Sequence, residues 1–237
     1  MGIYAKAFAQ YGIVRIADVL SPGSAEAVAH ILEQQMPWQL NLSETGDPQG
    51  GHQDTARANA NGQNAIDARV SAVLERARSG FAWQYLSYPM IDAYLAGKDP
   101  GHPIHTVSEF LNNGEFLQLL RAVTGRQDIL KAMAQATRYR PGDFLTLHDD
   151  SSHDALDYRV CAYTFSFTRL WRADWGGQLL FHDQHGQIAA GLAPAFNGLT
   201  LFSVPRLHSV ATVAAYAGAP RLSIVGWGRT DPPHRAS

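Results

Sequence analysis

His148 and Asp150 stand two residues apart in Phe144-Leu145-Thr146-Leu147-His148-Asp149-Asp150, a segment that alternates as a strand does. In extended backbone, side chains two apart share a face, so His148 and Asp150 converge while Asp149 points away. A third donor, His208, follows in Pro205-Arg206-Leu207-His208-Ser209-Val210, at the start of a later run of strand character. Two imidazoles and one carboxylate on one face of a metal leave the opposite positions open, an arrangement suited to Fe(II) that takes an organic chelator and O2. Alone the pattern is weak, because the chain holds 10 histidines and chance pairs with Asp or Glu are common.

Arg221 strengthens it. In Pro220-Arg221-Leu222-Ser223-Ile224-Val225 an arginine lies inside an apolar strand, where its charge is costly to bury without an anionic partner. A keto diacid such as 2-oxoglutarate chelates a metal through its keto-acid end and leaves a second carboxylate deeper, where a guanidinium pairs with it bidentately. Alternation puts the Ser223 hydroxyl on the same face, within reach of the same carboxylate.

The elements that must position these residues differ between the two halves of the chain. From Tyr139 onward, short runs rich in Val, Phe, Tyr, Thr and Leu alternate with turn residues, the signature of an antiparallel sandwich or barrel. The expected strands are 144–149, 158–168, 178–182, 187–191, 198–204, 207–213 and 221–228. Gly176-Gly177, Asp183 to Gly186, Pro194 to Asn197 and Gly218-Ala219-Pro220 supply the turns between them. Upstream, Gly12 to Ile16 reads as a strand. Residues 22–36, 66–78 and 106–133 have helical spacing, the last broken near Gly125. Residues 41–64 are polar, with almost nothing to bury, and read as a loop or a lid over a site.

Composition bounds the rest. The 237 residues, 46% hydrophobic and 17% charged, suit one domain: support at 1–135 and a catalytic core at 136–230. A net charge of −2 provides no basic surplus for nucleic acid or anionic lipid. Neither a secretory leader nor an apolar span long enough to cross a membrane is evident, and the single cysteine, Cys161, cannot form an intrachain disulfide. A cytoplasmic protein acting on a small molecule or peptide is the expectation.

The order Tyr139, Gly142, His148-x-Asp150, a hydrophobic strand, Gly176-Gly177, His208 and Arg221-x-Ser223 resembles the prolyl 4-hydroxylase-like group of Fe(II)/2-oxoglutarate dioxygenases, over roughly residues 137–229. The resemblance implies a mainly β double-stranded β-helix (a jelly-roll, cupin-like core) with N-terminal helices packed outside. It also implies iron held by His148, Asp150 and His208, and 2-oxoglutarate held by Arg221. The activity implied is O2-dependent hydroxylation of a C–H bond, on a proline-like residue or a small metabolite, with succinate and CO2 released. Tyr139 is implied at the co-substrate or iron. A further co-substrate contact falls to Tyr163 or Ser166, depending on register. The chain has Ser166-Phe167-Thr168 where the group usually has Tyr-Leu-Asn, which leaves those contacts open.

Other readings compete. A cupin-like metal-dependent dioxygenase without 2-oxoglutarate leaves Arg221 no task. A strand bulge would substitute Asp149 for Asp150. His153 and Asp154 read as solvated loop residues, and His182 and His185 as a hairpin tip rather than a second metal pair. Trp171, Trp175 and Trp227 read as packing or as pocket wall, and Arg138 and Arg140 as solvent-exposed. Arg206 could face the pocket and meet an acidic substrate.

Overall fold

The computed structural model describes residues 1–43, 52–53, 60–151 and 158–233. Helix α1 (Gly2–Tyr11) leads into β1 (Ile13–Ile16) through Gly12, whose φ of 65° closes the helix in the left-handed region. Helix α2 (Pro22–Gln34) starts where expected: Ser21 accepts a hydrogen bond from the Ser24 N–H, and Pro22 occupies the first turn. It buries Ala25, Val28, Ala29 and Leu32. There follow β2 (Gln39–Leu42), β3 (His52–Gln53), α3 (Ala60–Ala77), β4 (Trp83–Tyr88), α4 (Met90–Leu95), α5 (Ile104–Leu111) and α6 (Gly114–Thr124). The second half supplies β5 (Lys131–Ala132), β6 (Gln135–Tyr139), β7 (Phe144–His148), β8 (Arg159–Ser166), β9 (Leu179–His182), β10 (Ile188–Leu192), β11 (Gly198–Ser203), β12 (His208–Val210) and β13 (Arg221–Arg229).

The strands form one continuous antiparallel sheet in the order β1-β11-β8-β13-β6-β4-β7-β12-β9-β10, with β2 on β4, β3 on β2 and β5 on β13. Strand β4 turns the corner, pairing with β6 through Leu86 to Tyr88 and with β7 through Trp83 and Gln84. The sheet therefore curls on itself, with β11-β8-β13-β6 on one wall and β7-β12-β9-β10 on the other, the jelly-roll core that was expected. Helices α1, α2, α4, α5 and α6 cover the outer face of the first wall, while α3 packs on β2 and β4. Val28, Leu32, Phe116, Leu120, Tyr163, Phe165, Leu199 and Ile224 share that core. A second cluster lies between the walls and includes Trp83, Tyr139, Phe181, Phe202 and Val213.

Several boundaries differ from the expectations, each for a local reason. The 106–133 helix is two helices, because Asn113 caps the second by accepting from the Phe116 N–H. That second helix ends at Gly125 (φ 73°), and Lys131-Ala132 already pair with β13. The 41–64 loop is shorter than expected: Asn41 and Leu42 belong to β2, His52-Gln53 pair with it, and helix begins at 60. What remains of that loop lies outside the described residues. Strand 207–213 contracts to β12, since Ala211 and Val213 bond to Gln178 and Asp143 across loops.

Candidate metal and co-substrate site

The site is assembled on the strands facing the space between the walls. His208 on β12 pairs in register with His148 on β7, which sets their rings 4.0 Å apart, centroid to centroid. Each imidazole is oriented by its own chain: His148 Nδ1 faces the Thr146 carbonyl at 2.9 Å and His208 Nδ1 the Arg206 carbonyl at 2.8 Å. With Nδ1–H donated backward, both Nε2 lone pairs point into the site. Asp150 Oδ1 lies 3.4 Å from His148 Nε2, and its Oδ2 lies 3.6 Å from His208 Nε2. Donor atoms of all three lie within 4.8 Å of one another, a spacing one ion can bridge.

Convergence of His148 and Asp150 has a cause other than strand alternation. Strand β7 ends at His148, and Asp150 sits in the left-handed region, φ 61°, a conformation aspartate tolerates better than bulkier residues. Trp227 Nε1 donates to Asp150 Oδ2 at 3.0 Å, and Arg159 Nη1 donates to the Asp150 carbonyl at 2.8 Å while its guanidinium lies 4.5 Å above the Trp227 ring. Burial would raise the Asp150 pKa, but the His148 hydrogen bond, the charges of both histidines and the Trp227 donor hold it down at about 2. Burial lowers His208 to about 4, with His148 adding to the fall and Asp150 opposing it. At neutral pH the site therefore presents a carboxylate and a neutral imidazole ready to ligate. Asp149, the alternative ligand, instead accepts from the Ser151 N–H and hydroxyl.

Arg221 is 3% exposed, and burial pulls its pKa down; Tyr139 opposes that fall and the charge of Arg15 adds to it. No carboxylate pairs with it among the described residues. Its Nη1 donates to Ser223 Oγ at 3.0 Å, its guanidinium carbon lies 5.2 Å from the Tyr139 ring centroid, and its Nε is buried without a partner. Ser223 Oγ is 3.1 Å from Thr137 Oγ1, and Ser166, in register with Ser223, has a buried hydroxyl likewise lacking a partner. A buried cation with an orphaned donor and a neighbouring orphaned hydroxyl fit the distal carboxylate of 2-oxoglutarate, and the imidazole–carboxylate set fits Fe(II). Gly177 keeps the space open: a Cβ there would lie 2.9 Å from the Trp171 ring and 3.4 Å from Arg221 Cδ.

Tyr163 does not reach the site. It lies one residue out of phase with Ser166, so it projects to the opposite face, where its hydroxyl donates to the Met133 carbonyl at 2.8 Å and its ring packs on Phe116. Tyr139, in register with Arg221 and stacked on Tyr85 at 4.8 Å, does face the site. The aromatic rings of Phe81 and Phe202 flank His148 and His208. Sequence reasoning left Trp227 between packing and pocket wall and missed Thr137 and Arg159. The signal for Trp227 was available, since it shares the Arg221, Ser223, Val225 phase of β13. Arg206 is turned away, donating to the Tyr11 carbonyl and to Ser203 Oγ. Arg138 and Arg140 do not share one environment: Arg138 Nε is buried, while Arg140 bonds the buried Asp143 carboxylate. His182 caps its hairpin against Gly186 and Ser209 Oγ, and His153 and Asp154 lie outside the described residues.

Residues 134–229 match the family model of the 2OG-Fe(II) oxygenase superfamily. No curated protein matches the chain. Among solved structures, a Pseudomonas putida prolyl-4-hydroxylase is similar at 20% identity and a TM-score of 0.59, over 97% of this chain and 98% of that one. A Burkholderia pseudomallei oxidoreductase of the 2OG-Fe(II) oxygenase family follows at 15% identity and 0.61, over 98% and 91%. A Trichoplax adhaerens prolyl hydroxylase in complex with a hypoxia inducible factor peptide fragment is similar at 15% identity and 0.60, over 97% and 88%. At these identities the likeness concerns the fold.

Proposed function

We propose, on the premise that residues 134–229 are a 2OG-Fe(II) oxygenase domain with the fold of the prolyl 4-hydroxylases, that this dioxygenase holds Fe(II) through His148, Asp150 and His208 and 2-oxoglutarate through Arg221. Its reaction is hydroxylation of an unactivated C–H bond, on a proline-like residue or a small metabolite. When bound, Fe(II), 2-oxoglutarate and O2 together supply the oxidising power, and 2-oxoglutarate leaves as succinate and CO2.

The chain's own residues position and shield. His148 and His208 present Nε2 because their Nδ1 protons are committed to backbone carbonyls. Trp227 fixes the Asp150 carboxylate. Arg221, Ser223 and Ser166 receive the distal carboxylate of 2-oxoglutarate, with Thr137 orienting Ser223 and Tyr139 closing over the guanidinium. The observation that carries the reading is the buried Arg221 guanidinium with its orphaned Nε. A facial-triad dioxygenase that dispenses with 2-oxoglutarate leaves that charge unexplained.

Succinate formation by the purified protein with Fe(II) and 2-oxoglutarate tests the proposal. His148→Ala is expected to abolish iron binding and turnover together. Arg221→Ala should keep iron and lose about 2–4 kcal/mol of 2-oxoglutarate binding, because its charge-assisted bonds have no substitute. Intact succinate formation in Arg221→Ala would sink the co-substrate assignment. The substrate is a small molecule or a peptide segment, the latter by analogy with the peptide complex of the Trichoplax protein. No described helix is long and apolar enough to cross a membrane, and the buried free thiol of Cys161 suits a reducing cytoplasm. We place residues 1–135 and 136–230 in one working unit.

A further inference from the structure

Arg15 raises a second charge question inside the same space. Along β1, Val14 and Ile16 pack with the helices, whereas Ile13 packs with the cluster between the walls, so Arg15, two residues from Ile13, projects inward. Register carries the same conclusion across the sheet: Arg15 pairs with Thr200, Thr200 with Thr164, and Thr164 with Val225, one step along from the Ser166–Ser223 pair. The inner face of this wall therefore bears Arg15, Thr200, Thr164, Ser166, Ser223 and Arg221, a polar stripe where a sandwich interior is ordinarily apolar.

Among the described residues, the half-buried Arg15 guanidinium touches only neutral acceptors. Nη2 donates to the Ala193 carbonyl at 2.5 Å and Nε to Thr200 Oγ1 at 3.4 Å. Its Nη1 makes no bond among the described residues, and no carboxylate among them pairs with it. Burial pulls its pKa down, and its charge reaches Arg221. Pinning β1 to the loop after β10 needs a hydrogen-bond donor but not a permanent charge, and a glutamine of similar length would avoid the repulsion between two cations. Two inward arginines without an acid between them call for two anionic groups. Arg221 takes one from 2-oxoglutarate, and the carboxylate of a single co-substrate leaves the second cation unmatched.

We propose that Arg15 is a specificity-determining residue that pairs with an acidic group of the primary substrate, so that this enzyme acts on a carboxylic acid rather than on a neutral peptidyl residue. The inference rests on the co-substrate reading only in taking Arg221 as already engaged. A small acid or an acidic side chain enters beside β1 and β11, with its anion on Arg15 and its reacting carbon turned toward the His148–Asp150–His208 cluster.

The test uses the full chain loaded with Mn(II), with and without 2-oxoglutarate, at fixed ionic strength. Acetate and N-acetylglycinate are titrated against acetamide and N-acetylglycinamide, and Kd and Tm are read. Wild type should bind the acids at least about tenfold more tightly than the amides. Arg15→Gln should weaken acid binding by about tenfold while its Kd for 2-oxoglutarate stays within about threefold of wild type. Arg15→Lys, which keeps the charge and the reach to Ala193, should fall between, and it decides the matter if the glutamine variant does not fold. The proposal is overturned if acids and amides bind alike, if no acid raises Tm, or if Arg15→Gln loses 2-oxoglutarate as Arg221→Gln does. Acid binding that Arg15→Gln weakens, in a protein that ignores 2-oxoglutarate, would sink the co-substrate reading and leave Arg15's role standing.

Discussion

Both imidazoles of the cluster are aimed by the same device, a ring Nδ1 directed at the carbonyl two residues back, and the carboxylate is aimed by an indole from a different strand. These outer contacts decide whether three side chains of suitable type become a set of ligands. Trp227→Phe keeps an aromatic ring but removes the indole N–H, so Fe(II) or Co(II) affinity should fall about 10–100-fold, read by metal titration. An unchanged affinity would show that Asp150 needs no such support. Titration of the metal-free protein follows from the same burial. His208 is neutral in the fold down to about pH 4 but takes a proton near pH 6.5 once unfolded. The unfolded state thus binds the extra proton first as pH falls, and stability is lost across the window from 6.5 to 4, by at most about 3 kcal/mol. Asp150, held at about 2, stays ionised throughout that window. Melting curves from pH 7 to 4.5 check the sign, and His208→Gln should flatten the slope.

At the scale of elements, the turn before β9 does more than reverse the chain. Gly176 has φ 69° and ψ −150°, and a Cβ there would stand 2.0 Å from the Thr212 carbonyl oxygen. Gly176→Ala should therefore cost about 3 kcal/mol or more, read by denaturant melting. Gly177→Ala acts on the pocket, because its Cβ presses on Trp171 and the stem of Arg221. A raised KM for 2-oxoglutarate with a smaller change in kcat is expected, and equal changes in both would place the strain elsewhere. The Gly-Gly pair was visible in the sequence as a turn. Its role as the wall beside Arg221 was not, since Trp171, Val213 and Arg221 come from three separate segments. Strand β4 escaped notice altogether: in Trp83-Gln84-Tyr85-Leu86-Ser87-Tyr88 the apolar alternation breaks at Leu86, and the strand ends with Ser87 and Tyr88 both buried.

For the molecule as a whole, the stretch that matches the oxygenase family begins at residue 134, yet the sheet does not. Strands β1 and β4 lie outside that stretch and pair with β11, β6 and β7, while α2, α5 and α6 seal the outer face of the first wall. Residues 134–229 expressed alone would expose the β11 edge, lose the larger part of the apolar cluster and bare what remains of it. Such a fragment should show no cooperative denaturant transition, whereas the full chain should show one. A cooperative melt of the fragment would mean that the first half is dispensable for folding.

The sequence by itself determined the residue types that carry the chemistry and the jelly-roll pattern that brings them near. His148, Asp150 and His208 stood out by residue type and spacing, and Arg221 with Ser223 by an arginine in an apolar strand, but the alternation that paired His148 with Asp150 is not what brings them together, since β7 ends at His148. Tertiary structure decided everything that depends on a partner strand. It sent Tyr163 into the helix-covered core and Ser166 into the site, because a one-residue change of phase reverses every side chain of a strand. It also set Asp150 in a left-handed turn beyond the strand end and turned Arg15 inward toward Arg221. Those outcomes come from pairings between residues far apart in the chain, and no local spacing encodes them.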